Sequence, residues 1–112
     1  MKTKTTLITG GTSGIGASIA KSLLAKGERV ITLGLEMPNW VHENLYGYKA
    51  DLTDEKQTKK AADLISSEHK INSVVHNAGI ILPNLLSKVE TSDVLTLSHI
   101  HLAAPIALTQ AI

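Results

Sequence analysis

The feature that most constrains this chain is a glycine-rich run, Thr9-Gly10-Gly11-Thr12-Ser13-Gly14-Ile15-Gly16, between two segments of different periodicity. The run follows the β-branched segment Thr5–Thr9, which predicts a strand. It opens a segment with Ile15, Ile19 and Leu23 at helical spacing, which predicts a helix. Glycines let the backbone approach a phosphate closely, and the free N–H groups at a helix start favour negative charge. A strand, this turn and a helix in that order therefore predict a phosphate-binding corner.

The spacing of the glycines separates this turn from other phosphate-binding loops. A nucleoside-triphosphate loop requires Gly-x-x-x-x-Gly-Lys-Ser/Thr, and no Lys follows Gly14 or Gly16. The alternative is a turn that only ends a strand, but such turns rarely use four glycines in seven residues. Thr-Gly-x-x-x-Gly-Ile-Gly resembles the cofactor loop of the short-chain dehydrogenase/reductase family. The resemblance implies dinucleotide binding by Gly10, Thr12, Ser13, Gly14, Ile15 and Gly16.

Length and composition exclude several other classes of protein. The 112 residues have room for one domain, and we expect residues 1–112 to form a single, partial one. A composition of 43% hydrophobic and 19% charged residues is typical of an α/β protein, and the net charge of +1 gives no electrostatic case for nucleic acid or a membrane surface. Without cysteine, a disulfide framework or a Cys-based metal site is impossible. No signal-peptide or transmembrane run is present, so we expect a cytoplasmic protein.

Strand and helix patterns alternate along the chain. The predicted strands are Thr5–Thr9, Arg29–Leu33, Tyr46–Ala50 and Ile71–His76, and the predicted helices are Gly14–Lys26, Asp54–Glu68 and a last helix from Ser92 to the chain end. Gly27 predicts the cap of the first helix, and Asp54 with Gln57 predicts a capping box on the second. Pro105 should kink the last helix or remove one of its hydrogen bonds. Gly34–Asn44 and a segment with Pro83 and Asn84 read as loops.

This alternation predicts an α/β fold with a doubly wound, Rossmann-like parallel sheet in the strand order 3-2-1-4. The order places the first and fourth strands side by side. The loops Gly10–Gly16 and Asn77–Gly79 then leave the carboxyl ends of neighbouring strands. Because ligands bind at that edge of such sheets, we expect the two loops to share a site.

Two further segments extend the resemblance to the short-chain dehydrogenases. Asp51, followed by Leu52, stands where the family has an acidic residue that accepts a hydrogen bond from the adenine amino group; the alternative is an Asp that caps a helix or closes a turn. His76-Asn77-Ala78-Gly79 is similar to the family's Asn-Asn-Ala-Gly. The resemblance implies that Asn77 braces the sheet and that Ala78-Gly79 leaves room for the ribose. We expect His76 to be buried and to make a structural hydrogen bond.

The residues after the second strand bear on the choice between NAD and NADP. An acidic residue holds a ribose 2′-hydroxyl, whereas a basic one holds a 2′-phosphate. Glu36 lies about 20 residues past the glycine loop, which is the spacing expected for that acid. Aligned to the family, the discriminating positions fall nearer Gly34 and Leu35, and neither is charged. No Arg or Lys lies between Val30 and Tyr48, so the sequence favours NAD.

The groups that carry out the family's reaction are not found in these residues. Ile100-His101-Leu102-Ala103-Ala104-Pro105 resembles the family's Val-Asn-Leu-x-x-Pro, which makes His101 the candidate for the Asn of a proton relay. His99 and His101 do not face each other on a helix, so we expect no metal site. The family also requires a Ser and Tyr-x-x-x-Lys, but the residues four places after Tyr46 and Tyr48 are Ala50 and Leu52. We therefore expect no turnover from these residues alone.

Apolar residues on more than one face of the last helix, together with an apolar fourth strand at a sheet edge, predict a homo-oligomer. The alternative is that the helix is buried within one larger domain.

The leading interpretation is the NAD(P)-binding part of a short-chain dehydrogenase/reductase that moves hydride to or from a hydroxyl or carbonyl substrate. The other interpretations are a non-enzymatic dinucleotide-binding or oligomerising module and a degenerate fragment without a ligand.

Overall fold

Four parallel strands form the sheet at the centre of the protein, whose computed structural model describes residues 3–79 and 90–111. The strands are β1 (Thr5–Thr9), β2 (Arg29–Gly34), β3 (Leu45–Lys49) and β4 (Ser73–His76). They lie in the order β3-β2-β1-β4 and pair in parallel throughout. This confirms the predicted doubly wound α/β sheet. In register, Thr9 pairs with both Leu33 and His76, so the carboxyl ends of three strands meet at one edge.

Helices cover both faces of this sheet because alternate side chains of a strand point to opposite faces. On one face, α1 (Gly14–Ala25) packs its Ala20 and Leu24 against Ile8 and Val30. The other face is covered by α2 (Glu55–Glu68) and by the helical segment near the chain end. Leu7, Ile31, Ile65 and Leu108 are fully buried or nearly so in this second core.

The helix ends follow the predicted caps with one rearrangement. Gly27 has a φ of 82°, and its N–H donates to the carbonyl of Leu24, which ends α1. Asp54 caps α2 by accepting from the Gln57 N–H at 3.1 Å. The Gln57 side chain does not return this bond, because its Oε1 accepts from the Asp51 N–H at 2.9 Å. Only the half of the predicted capping box that Asp54 contributes is formed. The Gln57 side chain binds the backbone N–H of Asp51 instead of the backbone of Asp54.

The last helix differs from the single helix that the sequence predicted. It is divided into α3 (Thr91–Ser98), a π-helical turn (His99–Ala103) and α4 (Ala104–Ala111). The Ala104 N–H donates to the carbonyl of His99, five residues before it. Pro105 has no N–H to donate, and a proline ring crowds the carbonyl four residues earlier, which is that of His101. The interruption predicted at Pro105 therefore takes the form of a wider turn.

Other element boundaries move by one or two residues from the predicted ones. α1 ends at Ala25, β2 continues to Gly34, β3 begins at Leu45, and β4 begins at Ser73 because Ile71 lies outside the ladder. The predicted loop with Pro83 and Asn84 falls outside the described residues. In the parts of the chain that the structure describes, no helix has the length and apolar character needed to cross a membrane.

The end of the chain is apolar on two faces, as the sequence indicated. Ile100, Ala104 and Leu108 are buried in the core with α2. A second set of apolar side chains is about half exposed or more: Val94, Leu95, Leu102 and Ile106.

Two leucines on these two faces give a matched test of the packing. Leu108 is 1% exposed and Leu102 is 62% exposed. We expect Leu108→Ala to lower the free energy of unfolding by about 2–5 kcal/mol, since it leaves a cavity in the core. Leu102→Ala should change it by less than about 0.5 kcal/mol at a protein concentration low enough for the chain to be monomeric. Urea unfolding followed by circular dichroism measures both, and equal losses would contradict this packing.

Candidate functional site

A cavity of about 270 Å³ opens at the carboxyl edge of the sheet, where the loops after all four strands meet the π-helical turn. The residues that line it are Gly10, Gly11, Thr12, Ser13, Leu33, Gly34, Leu35, Glu36, Ala50, Asp51, Leu52, Thr53, Ala78, Gly79 and Ile100. Eight of the predicted cofactor residues are thus brought together: Gly10, Thr12, Ser13, Glu36, Asp51, Leu52, Ala78 and Gly79.

The ends of β1 and β4 are joined by hydrogen bonds beneath the glycine loop. The Thr9 hydroxyl oxygen accepts from the backbone N–H groups of Asn77 and Ala78, each at 3.0 Å. The Asn77 side-chain amide donates to the carbonyl of Gly10 at 3.1 Å. These bonds fix the loop after β1 against the loop after β4, so Asn77 supports the cavity floor rather than lining the cavity.

Gly16 lets α1 begin directly above this junction. A Cβ atom at Gly16 would overlap the carbonyl oxygen of Gly10 and would lie 2.5 Å from the side-chain nitrogen of Asn77. Backbone atoms cannot move aside as a flexible side chain can, so only glycine fits here. The close approach brings the first turn of α1 to the rim of the cavity.

The N-terminus of α1 is left without a protein side chain as its cap. Ser13 occupies the cap position in an extended conformation, but its side chain makes no capping hydrogen bond, and the first turn has no acidic residue. By contrast, α2 is capped by Asp54 and carries Glu55 in its first turn. Helix starts have unsatisfied N–H groups and a partial positive charge. The start of α1 is therefore suited to an anion from outside the chain.

Asp51 provides a negatively charged acceptor on the opposite wall. Its Oδ1 accepts from the Thr53 hydroxyl at 2.6 Å and from the Thr53 N–H at 2.9 Å. These two bonds lower the pKa of Asp51 below its ordinary value, with a smaller contribution from nearby His99 and against the opposing effect of burial. Asp51 thus forms a turn with Thr53 and stays ionised at neutral pH, whereas the capping of α2 belongs to Asp54.

The charge of the cavity wall is acidic. Glu36 and Asp51 line the cavity, and no Lys or Arg is among the described residues that line it. Leu35, beside Glu36, is 62% exposed.

Several predicted residues lie elsewhere. Ile15 is 74% exposed and, with Gly14, lines a separate groove along the outer face of α1. His76 was expected to be buried, but it lies at the exposed end of an edge strand and its Nε2 contacts the Thr109 hydroxyl at 3.1 Å. His101 is absent from the cavity lining in the described part of the chain. Its ring nevertheless packs against Gly79, since a Cβ atom added to Gly79 would lie 2.5 Å from Cε1 of His101.

The sequence patterns missed some of the cavity wall. Gly11 packs so closely on the sheet that a Cβ atom would lie 2.8 Å from the Thr32 methyl carbon. Its place within the glycine run was the available signal. Ile100 is 8% exposed and reaches the cavity from the π-helical turn. In the sequence it opens the segment Ile100-His101-Leu102-Ala103-Ala104-Pro105, but only His101 of that segment was a candidate site residue. The other missed residues are Leu33, Ala50 and Thr53, whereas Gly34 and Leu35 were already identified as positions that bear on the choice of cofactor.

The two tyrosines lie on β3 outside the cavity lining. The Tyr48 hydroxyl donates to a carboxylate oxygen of Glu68 at 3.1 Å and contacts His69 Nε2 at 3.0 Å. Burial, followed by the hydrogen bond and the negative charge of Glu68, raises the pKa of Tyr48 to about 12. A phenol with that pKa is poorly suited to proton transfer at neutral pH.

Comparison with known proteins gives a consistent family. The family model described as short chain dehydrogenase matches residues 4–112. The chain is 32% identical over 97 residues to a 3-oxoacyl-[acyl-carrier-protein] reductase of Buchnera aphidicola, covering 80% of this chain and 40% of that protein. It is 35% identical over 94 residues to an acetoacetyl-CoA reductase of Synechocystis, covering 83% and 39% respectively. The chain thus spans well under half the length of these curated relatives.

Solved structures agree with the fold. A short chain dehydrogenase from Leptospira borgpetersenii with bound NAD⁺ superposes with a TM-score of 0.86 at 25% identity, covering 99% of this chain and 45% of that one. A blue fluorescent protein from a metagenomic library, in complex with NADPH, gives 0.81 at 26% identity, covering 96% and 49%.

Thr53 gives a test of the electrostatics of this site. Thr53→Val removes the hydroxyl that donates to Asp51, so we expect the pKa of Asp51 to rise toward its ordinary value of 3.8. A carboxyl-detected NMR titration measures it, and Thr53→Ser, which keeps the hydroxyl, is the control.

The same variants should differ in stability in a predictable pH window. A carboxyl whose pKa is lowered by folding contributes stability that is complete above about pH 4 and is lost as the pH falls through the folded-state pKa. The deficit of Thr53→Val in free energy of unfolding should therefore shrink in acid. A titration of Asp51 that is the same in the Val variant and the natural protein would contradict this account.

Proposed function

Because this chain belongs to the short-chain dehydrogenase/reductase family, we propose that it is the dinucleotide-binding part of an NAD(P)-dependent oxidoreductase. The family's reaction moves hydride between a nicotinamide and a hydroxyl or carbonyl group. The observation that carries the proposal is the uncapped start of α1, which faces the same cavity as ionised Asp51. A ligand that carries both an anionic group and a hydrogen-bond donor would satisfy the start of α1 and Asp51 together.

The residues present fit the adenosine and phosphate half of a dinucleotide. Ligand cavities usually measure about 300–1,000 Å³, so about 270 Å³ suits a nucleoside rather than a complete dinucleotide. We assign the pyrophosphate to the N–H groups at the start of α1, beside Thr12 and Ser13. We assign the adenine to Asp51 and Leu52, and the ribose to Glu36 and the space above Ala78 and Gly79.

The role of this chain is to bind and orient the cofactor, whose nicotinamide supplies the hydride chemistry when bound. The glycine loop fixes the phosphates, and the β1–β4 junction keeps that loop rigid. His101, whose ring lies against Gly79, is our candidate for the reaction end of the site, where the family has an Asn. Since these 112 residues contain no Tyr-x-x-x-Lys, we propose that they bind dinucleotide without turning substrate over.

Glu36 supports a preference for NAD. A carboxylate accepts hydrogen bonds from ribose hydroxyls but repels a 2′-phosphate, and no Lys or Arg lines the described part of the cavity to offset this repulsion.

The preference can be measured by titration calorimetry with NAD and NADP. We expect the natural chain to bind NAD more tightly by about tenfold, which corresponds to about 1.4 kcal/mol. Glu36→Arg should reverse the preference, because a guanidinium pairs well with a phosphate. Glu36→Gln, which keeps the size and removes the charge, should bring the two affinities closer. Tighter binding of NADP by the natural chain would overturn the assignment of Glu36, and binding of neither dinucleotide would overturn the proposed function.

A second candidate function is a non-enzymatic dinucleotide-binding module that self-associates. The exposed apolar residues Val94, Leu95, Leu102 and Ile106, together with the position of β4 at the sheet edge, favour this proposal.

Light scattering tests the self-association directly. We expect an oligomer from the natural chain, and we expect Leu95→Glu with Leu102→Glu to lower its mass because the added charges oppose burial of this face. Lys56→Glu, on the exposed side of α2, is the control for an added negative charge. A monomer of the natural chain at high concentration would remove the oligomer proposal.

A further inference from the structure

His99 connects the π-helical turn to the loop that carries Asp51. Its Nδ1 lies in hydrogen-bonding contact with the carbonyl oxygen of Leu52. A carbonyl oxygen can only accept, so Nδ1 must carry the proton in this contact. The ring is half-buried, and the Leu52 side chain is 4% exposed. This bond therefore spans two elements that are 47 residues apart in the sequence.

The residue that precedes the bonded carbonyl is Asp51. The backbone of the short connection 50–54 is fixed from two sides: Gln57 of α2 accepts from the Asp51 N–H, and His99 donates to the Leu52 carbonyl. Leu52 lies between Asp51 and Thr53, the residue that binds the Asp51 carboxylate. Rotation of the Leu52 backbone would therefore displace Asp51 and Thr53 as well. Holding the Leu52 carbonyl therefore restricts the direction in which the Asp51 carboxylate faces the cavity.

Three consecutive residues of the π-helical turn contact different parts of the site. His99 contacts the Leu52 carbonyl, Ile100 lines the cavity, and His101 packs against Gly79. In the wider turn the carbonyl of His99 accepts from the Ala104 N–H, one residue further along than in an α-helix. Three consecutive residues thus contact three different parts of the same site.

We propose that His99 is a positioning residue for the adenine end of the site, acting on the ligand through the Leu52 carbonyl and the Asp51 carboxylate. The inference rests on the proposed function, because it assigns the adenine amino group to Asp51. The inference requires that the effect of His99 on the binding affinity depend on the adenine amino group. A histidine that merely attaches the π-helical turn to the loop after β3 would affect all nucleotides equally.

Two variants and two dinucleotides separate these roles. His99→Leu removes the donor, while His99→Asn places an amide N–H near the position of Nδ1. The probes are NAD and nicotinamide hypoxanthine dinucleotide, which carries an oxygen in place of the adenine amino group. We expect His99→Leu to weaken NAD binding about fivefold, the usual size of one hydrogen bond, and to change binding of the hypoxanthine analogue by less than about twofold. His99→Asn should recover most of the loss.

The outcomes distinguish this inference from the proposed function. Equal weakening of both dinucleotides by His99→Leu, or no weakening of either, overturns the role of His99 while leaving dinucleotide binding intact. If the natural chain binds neither dinucleotide, the proposed function fails first, and the inference fails with it. Circular dichroism of both variants shows whether they keep the fold.

A measurement on the natural chain covers the case in which His99→Leu does not fold. The ¹⁵N signal of His99 Nδ1 is recorded by NMR during addition of AMP and, separately, of IMP. We expect a saturable shift with AMP that is at least about twofold larger than with IMP, because only AMP carries the 6-amino group that is assigned to Asp51, whereas IMP has an oxygen there and its N1–H donor lies at a different position. Identical shifts at saturation would overturn the proposal.

Discussion

The close contact between Gly16, Gly10 and Asn77 is the constraint on which the site depends. The start of α1 can lie above the end of β1 only because Gly16 has no side chain to meet the Gly10 carbonyl. That carbonyl accepts from Asn77, whose own N–H donates to Thr9, so one small network joins two strands and one helix. Because the network satisfies partly buried polar groups, removing one member would leave its partners unpaired. The position of the phosphate-binding corner follows from this network.

The opposite wall of the cavity, which carries Asp51, is held in place by a different set of hydrogen bonds. The connection after β3 has no regular structure of its own, so its conformation depends on bonds from neighbouring elements. Thr53 orients Asp51 locally, Gln57 holds its N–H from α2, and His99 holds the next carbonyl from the π-helical turn. The irregular turn before Pro105 is thus part of the architecture of the site.

The sheet and most of the site could be predicted because they depend on local patterns. Glycine spacing between a strand and a helix identifies the corner, and the alternation of apolar segments gives the strand order. The Asp54 cap and the Gly27 helix end were also predicted, since each rests on contacts within a few residues. The same reasoning placed Asp51 and Ala78 at one edge, although they lie 27 positions apart in the sequence.

What the sequence could not predict depends on contacts between distant elements. Proline identifies where the last helix is disturbed, but the form of the disturbance depends on how α4 packs against α2. Gln57 had the spacing of a capping box, yet Asp51 competes for its side chain. His76 is exposed because β4 lies at the edge of the sheet, so the expected burial was wrong even though the strand order was predicted. The contact of His99 with Leu52 joins residues that no local pattern relates.

The measurement that tests the central claim most directly is backbone amide NMR of the ¹⁵N-labelled chain during titration with NAD. If the corner and the acidic wall form one dinucleotide site, the largest shifts should fall on two separate segments, residues 12–16 and residues 51–53, with a single saturation curve. Shifts centred on another part of the chain, such as the groove that Thr58 and Ala62 of α2 and Ala107 of α4 line, or different curves for the two segments, would show that the cavity is not one dinucleotide site.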